Sequence, residues 1–586
     1  MINAVHPALI LFFGAFLVYF IKERRTRQFI QIIIPVLAFI DLLYLEQGNC
    51  WQYKFLQYEL ILGRIDKLSL IFSYVFVIAA FLGMVYSLHV KDNGQHAAAL
   101  AYVGSALGVT FAGDFITLFA FWEAMAVASV FLILCKRSEK AIQSGFRYLM
   151  VHLFGGACLL AGIIIYVSKT GSIQFNAIEY GDISSIMILI GFIINAAVPP
   201  LHAWLPDAYP EATATGSVFL SAFTTKSAVY VLMRGYPGVE LLVWLGAIMA
   251  LYGIVYAVLE NDIRRLLAYH IISQVGYMVC GVGLGTEMAL NGSAAHAFSH
   301  ILYKALLFMG VGAVIEVTGR NKMTELQGRN LYKKMPICLS LYMIGGFSIS
   351  AVPLFNGFVS KTMIVYAAGE LHRPVIHLLL HLASIGTFLH TGLKLPYGTW
   401  FGKAPKNVKY DEIDAKEPPI NMLIAMGLTA FLCTFTGIYP DSIYRLLPYE
   451  VTFHPYTVNA VSGMLQILVF TALAFFIFIN KLGGEPTVSV DTDWFYRKGG
   501  LLFVKFCEGF VELRSAVQKQ AVKITESAIK FSTNPIQSLQ LFIAGKNTKT
   551  LVPYNSDKNR LPIGIGVFFF LIVFSIYCLL FLSMKG

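Results

Sequence analysis

The chain has 586 residues, of which 57% are hydrophobic and only 13% are charged. A soluble domain carries about 25% charged residues, so this composition excludes a soluble globular protein and predicts a membrane protein with many spans. The net charge of +11 does not indicate nucleic-acid binding, because excess Lys and Arg in a multispan protein usually marks its cytoplasmic loops.

Apolar runs long enough to cross the hydrocarbon core of a bilayer recur from end to end of the chain. The first run has no small-residue cleavage site behind it, and we expect it to be a retained span. Taken in order, the runs predict about sixteen spans, near residues 6–21, 28–45, 67–88, 97–113, 115–135, 146–168, 184–206, 216–234, 239–259, 263–285, 294–317, 337–368, 376–402, 418–439, 460–481 and 562–583.

Loop charges predict the orientation of these spans. Clusters of Lys and Arg follow spans 1, 5, 9, 11 and 13, and the intervening loops are poorer in both residues. By the positive-inside rule, the N-terminus is predicted to lie outside. The clusters occupy residues 22–27, 136–140, 264–265, 320–334 and 403–409.

Residues 485–560 differ from the spans, because they mix charged and apolar residues at helical spacing. This pattern predicts an amphipathic helix that lies along a surface on the cytoplasmic side. Pro535 is expected to interrupt it. An ordinary interfacial helix fits the pattern, but its length favours a strut that reaches across neighbouring subunits.

Two spans carry helix breakers. Span 7 contains Pro199, Pro200, Pro206 and Pro210, and span 12 contains Pro353 and Gly357. Backbone groups released by such residues must line a cavity or pack in protein. Both stretches share the letters AVP, at 197–199 and 351–353, and they lie five spans apart. An odd number of spans inverts topology, so the pair predicts an inverted-repeat transporter with broken helices 7 and 12.

Titratable side chains inside spans are costly and mark function by default. A buried lysine loses solvation of its charged form, and histidine titrates near neutral pH, so such groups can pass protons. Snorkelling or structural pairing explains one isolated lysine near a span end, such as Lys394, about as well, but not the whole set. The set comprises Glu123, Lys226, His296, His300, Lys304, Lys361 and Lys394.

The eight cysteines have no CxxC spacing, and no haem, iron–sulfur, zinc or Walker motif is present. The sequence therefore predicts neither a metal site nor a cofactor. Any redox centre would belong to other subunits.

The chain resembles the antiporter-like subunits shared by Mrp-type Na⁺/H⁺ antiporters, respiratory complex I and membrane-bound hydrogenases. The core is similar to the Mrp D-type subunit, and the C-terminal part is similar to the longest distal subunit of complex I. The resemblance rests on FAFWEAMAVASVFLI at 119–133, PPLHAWLPDAYPEATATGSVFLSAFTTKSAVY at 199–230, DIRRLLAYHIISQVGYM at 262–278, HAFSHILYKALLF at 296–308 and GFVSK at 357–361.

The resemblance implies an all-α polytopic fold with two inverted five-helix bundles, formed by helices 4–8 and 9–13, and a C-terminal lateral amphipathic helix. The predicted regions are helices 1–3 at 1–95, the first bundle at 96–236, the second bundle at 237–403, helices 14–15 at 404–484, the lateral helix at 485–560 and a C-terminal anchor helix at 561–586.

The resemblance also implies roles for individual residues. Glu123 matches the glutamate that modulates a nearby lysine, and Lys226 matches the central proton-relay lysine. His296, His300 and Lys304 match the residues that connect the two halves. Lys361 matches the group that exchanges protons with one side. Arg264 falls where the family often has lysine.

One position departs from the family pattern. The lysine expected nine residues before Trp204 is Asn195 here, and asparagine cannot carry a proton charge. Three explanations remain open. Lys226 or His152 could replace the lysine, the first bundle could handle another ion or none, or the protein could be partly degenerate and mainly structural.

Three functions follow from the resemblance. The first is a proton-translocating subunit of a multisubunit Na⁺/H⁺ antiporter, with H⁺, Na⁺, the lipid bilayer and other membrane subunits as partners. The second is a proton-pumping subunit of a complex I-like or hydrogenase-like redox complex, and the third is a structural subunit. Whether the assembly is an enzyme stays open among them. We expect a bacterial or archaeal cell membrane.

Overall fold

The computed structural model describes residues 5–403, 415–479, 491–544, 555 and 561–583. It divides into two units, Met1–Asp493 and Trp494–Gly586, which are described separately. Parts of three predicted features, namely the basic cluster at 403–409, the start of the lateral helix and its C-terminal end, fall outside the described residues.

The first unit is built almost entirely of helices. Most of the predicted spans correspond to one helix each, with ends shifted by a few residues. The helices are α1 (Pro7–Phe20), α2 (Arg24–Leu43), α3 (Lys67–Tyr86), α4 (Asn93–Phe111), α5 (Phe115–Leu134), α6 (Glu139–Thr170), α7 (Ile183–Asn195), α8 (Trp204–Ala208), α9 (Ala214–Leu220), α10 (Thr224–Gly235), α11 (Glu240–Leu259), α12 (Ile263–Leu284), α13 (Glu287–Thr318), α14 (Met323–Leu326), α15 (Leu331–Lys334), α16 (Pro336–Ile349), α17 (Asn356–Glu370), α18 (Pro374–Thr387), α19 (Ile420–Ile438), α20 (Asp441–Tyr444) and α21 (Val458–Ile477).

Twelve segments of the described chain are long and apolar enough to cross a membrane, and three shorter helices, α1, α7 and α16, are also apolar. These helices confirm a polytopic, predominantly helical membrane fold. Helices α12 and α13 lie at its centre, because the most apolar stretch of α12 is entirely buried and that of α13 is 83% buried.

One β-hairpin accompanies the helices of this otherwise all-α fold. Strands β1 (Gly48–Phe55) and β2 (Tyr58–Ile65) pair antiparallel between α2 and α3. The segment is too polar for a span, and its sequence alone predicted no element. Arg64 donates a 2.8 Å hydrogen bond to the Phe175 carbonyl, which ties β2 to the loop after α6.

The two predicted breaks have the same backbone cap. Helix α7 ends before Ala197, and α16 ends before Ala351, and both alanines are left-handed, with φ of 58° and 56°. Each alanine N–H bonds a carbonyl three residues back, and the following valine N–H bonds one five residues back. This is the Schellman pattern, in which glycine is the usual left-handed residue. The Ala-Val-Pro sequence that the two breaks share therefore adopts the same helix cap in both.

A third break was not predicted. Span 8 is divided into α9 and α10 at residues 221–223, where the sequence SAF contains neither proline nor glycine. The span predicted at 216–234 is present as residues 214–235, but its helix is interrupted. The break leaves the Ser221 carbonyl without a helical partner, and the side chain of Lys226 bonds it instead.

Other features recur in the two halves, five predicted spans apart. Asp114 caps the N-terminus of α5 and forms an isolated β-bridge with Gln174, and Asp262 caps the N-terminus of α12 and forms one with Lys322. Helices α6 and α13 each have 32 residues, a hydroxyl N-cap and a left-handed glycine C-cap. In this register the fourteenth residues are His152 and His300, and the eighteenth are Gly156 and Lys304. The inverted relation of the two bundles and the predicted region boundaries stay predictions.

The second unit contains α22 (Asp493–Thr533), α23 (Pro535–Ala544) and α24 (Ile563–Ser583). Helix α22 has 41 residues and is therefore about 60 Å long. It ends just before Pro535, where the interruption was expected. Helix α24 is long and apolar enough to span a membrane.

Candidate functional site

Three buried lysines of the first unit are held by backbone carbonyls at the C-terminal ends of helices. Lys226 donates to the Ser221 carbonyl at 2.5 Å, directly after α9. Lys361 donates to the carbonyl of Ile349, the last residue of α16, at 3.2 Å. Lys394 donates to two carbonyls at the end of α11. The C-terminal end of a helix carries partial negative charge, so each break stabilises an ammonium group without a carboxylate.

Three lysines are almost completely buried: Lys226, Lys304 and Lys361 are at most 1% exposed. In the ranges that the structure describes, none of the three forms an ion pair with an acidic side chain. An ammonium group that has only neutral acceptors can lose its proton more readily than one that is paired with a carboxylate. The arrangement therefore suits proton exchange better than permanent charge pairing.

The stripe of α13 lies at the centre of the fold. His296 contacts Ser360 of α17 at 3.1 Å through Nδ1 and Gln274 of α12 at 3.3 Å through Nε2. The ring centroids of His296 and His300 are 6.3 Å apart. This separation exceeds direct hydrogen bonding, so transfer between the rings requires a bridging water or a side-chain movement.

Lys304 completes the stripe. Its Nζ donates to the Leu267 carbonyl of α12 at 2.9 Å. Both ring nitrogens of the neighbouring His300 are buried without a protein hydrogen-bond partner among the described residues. Buried polar atoms without a protein partner are usually bonded to water, so this part of the stripe is a natural place for hydration.

Glu123 and Asn195 occupy the predicted first-half position, but the structure shows no bond between them. Oε1 of Glu123 and both amide atoms of Asn195 lack a partner in the described part of the chain. The Glu123 carboxylate lies against Gly156 of α6, where even a methyl group would overlap it. Gly156 is the counterpart of Lys304 in the repeat register, and its missing side chain makes room for the acid.

Neither proposed substitute for the missing lysine contacts Glu123. His152 stacks on Tyr148 with 4.0 Å between ring centroids, and its Nδ1 lies 2.9 Å from the Tyr148 carbonyl. Lys226 bonds the Ser221 carbonyl and the Thr225 hydroxyl. Glu123 therefore has no cationic partner in the described structure.

Arg264 does not join the lysines. It is buried at the start of α12 and donates to the Ala212 carbonyl at 2.8 Å. This bond ties α12 to the segment between α8 and α9. Its position favours a structural link between the two halves.

A histidine pair was not predicted from the sequence. His270 of α12 and His390, in the π-helical continuation of α18, are fully buried with ring centroids 5.6 Å apart. All four ring nitrogens lack a protein partner among the described residues. In the sequence, each is a single histidine within an apolar run, at AYHII and TFLHT.

A buried acid was also not predicted. Asp491 lies two residues before α22 and accepts hydrogen bonds from His202 at 3.1 Å, Tyr252 at 2.5 Å and Tyr269 at 2.6 Å. Although burial opposes it, these bonds hold the pKa of the Asp491 carboxyl well below its ordinary value. Thr492 also donates to the Pro200 carbonyl at 3.2 Å, so this segment is fastened to the first break.

The Asp491→Asn variant is expected to unfold more easily, by about 2 kcal/mol, because a charged acceptor of three bonds is lost. The folded pKa is depressed, so the contribution is present above the unfolded value of about 3.9 and is lost only as the pH falls through the folded value. Thermal unfolding in detergent at pH 7 would measure it. The exposed Asp441→Asn is the control, and equal melting temperatures for both variants would contradict the prediction.

Comparison with known proteins agrees with this architecture. Residues 112–387 match the model of the NADH:quinone oxidoreductase/Mrp antiporter transmembrane family. The chain is 27% identical to the D-type Na⁺/H⁺ antiporter protein of Alkalihalophilus pseudofirmus, over 62% of this chain and 80% of that protein. It is 29% identical to the A-type antiporter protein of the same organism, over 64% of this chain and 52% of that protein. It is 28% identical to hydrogenase-4 component B of Escherichia coli, over 64% and 62%.

Solved structures show the same fold. A chain of an archaeal membrane-bound sulfane sulfur reductase superposes with a TM-score of 0.69 at 23% identity, over 92% of this chain and 98% of that one. A chain of the Mrp complex from Dietzia superposes with a TM-score of 0.65 at 20% identity, over 79% and 98%. Residues 112–387 therefore match the transmembrane segment shared by NADH:quinone oxidoreductases and Mrp antiporters, and the chain has the multi-pass membrane fold of such antiporter-like subunits.

Proposed function

We propose that this chain is the proton-translocating subunit of a multisubunit Na⁺/H⁺ antiporter of the Mrp type. Protons move through Lys226 of the first half, the α13 stripe and Lys361 of the second half. Glu123 modulates proton transfer in the first half, and Lys394 lies on a side branch of the proton path. One observation carries the proposal: a row of buried lysines and histidines is held by neutral groups, with no carboxylate paired to any of the three most buried lysines in the described structure.

Unpartnered polar atoms along the same row support a hydrated interior. Native proteins leave few buried polar atoms without protein or water partners, so a concentration of them indicates sites for water. The side chains concerned in the described structure include His152, Asn195, Ser227, His270, Ser273, Ser299, His300 and His390.

The D-type assignment rests on coverage. The aligned region covers 80% of the D-type relative but only 52% of the A-type relative. We therefore place the chain in the D-type role, with subunits of other types as its membrane partners. The N-terminus lies outside and the lateral helix α22 lies on the cytoplasmic side of the membrane, as the loop charges predict.

A second candidate is a proton pump driven by a redox partner. The sulfane sulfur reductase structure, which belongs to an archaeal respiratory complex, superposes over 92% of this chain. The 41-residue α22 also suits a row of adjacent subunits. In this role the same lysine row would respond to a neighbouring redox module instead of a cation gradient.

Inverted vesicles that contain the assembled complex distinguish the two. A sodium pulse imposed on a preformed proton gradient is expected to collapse the gradient, and vesicles that lack this protein should not respond. Proton pumping that begins only when a reductant and its acceptor are supplied, with no response to sodium or potassium, would overturn the antiporter proposal and favour the redox-driven role.

The Asn195→Lys variant tests the first half. A lysine here can pair with the unpartnered Glu123, and we expect the sodium-driven proton flux to rise at least about threefold because a buried charge gains a partner. Asn195→Met is the matched control, since methionine fills similar space without a charge. Equal fluxes in both variants and the unmodified chain would instead support an inert, structural first bundle.

A further inference from the structure

A cavity of about 440 Å³ lies between α17 and α18. This volume is far above the roughly 15 Å³ that one buried water requires. The first half of α21 and the segment before it, residues 452–454, line its other side. Lys361 is one of the lining residues, so the cavity joins the buried lysine to the edge of the fold.

One face of α18 lines the cavity with polar side chains. His377, His381 and Ser384 are spaced by four and three residues and so share a helical face. The Nε2 atoms of His377 and His381 are 3.3 Å apart. A hydrogen bond between two such nitrogens needs one donor and one acceptor, so the pair shares one proton at this contact. Shared protons of this kind suit a relay.

Several elements contribute charged or titratable groups around the His377–His381 pair. Helix α17 contributes Lys361 and, at its C-terminal end, Glu370. The segment before α21 contributes His454, and Met288 of α13 brings no charge. At the rim, Arg373 is neutralised by two bonds to Glu240 of α11, at 3.0 and 2.9 Å. Among the described residues, no group of three or more His, Cys, Asp or Glu side chains is placed to hold a metal ion, so this lining suits proton transfer better than metal binding.

We propose that this cavity is the vestibule through which Lys361 exchanges protons with the aqueous phase, and that His381 and His377 are its relay. The proposal rests on the proposed role of Lys361. The ammonium of Lys361 gives a proton, through water, to His381 and becomes a neutral amine. His381 passes a proton to His377, which releases one to water at the mouth. No electron changes hands, and the return path reverses each step.

Access is tested first, by a measurement that does not require transport. His381→Cys and Ser384→Cys are expected to react with a membrane-impermeant thiol reagent from one side of the membrane only, well above the background of the unmodified chain. Failure of both to react from either side would show that the cavity is dry and would overturn the vestibule. This result would leave the transport role of Lys361 untouched.

Relay is tested by transport in assembled complexes. His381→Ala is expected to lower sodium-driven proton flux at least about tenfold, as loss of a proton-transfer group does. Added imidazole should recover part of the loss, because the cavity has room for it, and no structural defect would respond in this way. His372→Asn is the matched control, because His372 lies just before α18 but does not line the cavity.

The remaining outcomes separate the two proposals. Unchanged flux in His381→Ala across pH 6 to 9, with accessible cysteines, would overturn the relay while keeping the cavity as an open water path. Unchanged flux in Lys361→Ala would overturn the role of Lys361, and with it the relay that serves that lysine. Loss of flux in His381→Ala with no imidazole recovery, at normal complex assembly, would reassign His381 to a structural role.

Discussion

Replacing Lys361 with alanine is expected to abolish ion-driven pH changes, with a fall of at least about a hundredfold in flux. Lys361 is the titratable group that both contacts the second break and lines the cavity. Its ammonium also lies over the Tyr277 ring, 5.0 Å from the centroid. The alanine variant removes the group that we propose carries the proton but leaves the backbone cap in place, so the complex should still assemble.

The measurement is fluorescence quenching of a pH dye in inverted vesicles, with the assembled complex quantified in each preparation. Lys322→Ala is the control, because its side chain is 56% exposed and forms only a 4.0 Å pair with Glu325. Surface pairs of this kind contribute little, and the flux should not change. Full flux in Lys361→Ala at equal assembly would remove Lys361 from the pathway.

Much of this fold could be predicted because each span must be apolar for about 20 residues, and that requirement is written locally in the sequence. The breaks at 197 and 351 could be predicted because prolines mark them. The break at 221–223 could not, since SAF has no intrinsic bias against a helix. There a contact far away in sequence accompanies the break, because the Thr224 N–H donates to the Tyr102 hydroxyl, and the Lys226 ammonium bonds the carbonyl that the break releases.

The site was predictable as a set of residues but not as a geometry. Charged letters inside apolar runs identified the lysines, while their partners are backbone carbonyls that no side-chain pattern reveals. The same limit hid Asp491, whose three side-chain donors come from α11, α12 and the first break, far away in sequence. His270 and His390 were visible as letters, but their proximity follows only from the packing of α12 against α18.

The register shared by α6 and α13 accounts for one difference between the two halves. Lys304 of α13 corresponds to Gly156 of α6, so the second half has a titratable side chain where the first half has space. The acid Glu123 fills this space. Because Asn195 also lacks a charge, transport should depend more on Lys304 and Lys361 than on Glu123.

Gly357→Ala is expected to prevent normal assembly. Gly357 lies in the first turn of α17, and a methyl group there would overlap the backbone carbonyl of Ser348. This carbonyl accepts the Ala351 N–H in the cap of α16, at 3.1 Å. Backbone cannot move aside as a flexible side chain can, so the variant must shift α17 or break the cap, at a cost of about 3 kcal/mol or more.

The predicted readout is a marked fall in the amount of assembled complex and in its melting temperature in detergent. Gly427→Ala in α19 provides the control, because a methyl group there meets no atom within 4 Å. Since alanine has a higher helix propensity than glycine, the control should be as stable as the unmodified chain or slightly more so. A Gly357→Ala complex that assembles and melts like this control would show that the second break is looser than its cap indicates. In that case the contact between Lys361 and the Ile349 carbonyl would not be fixed by the break.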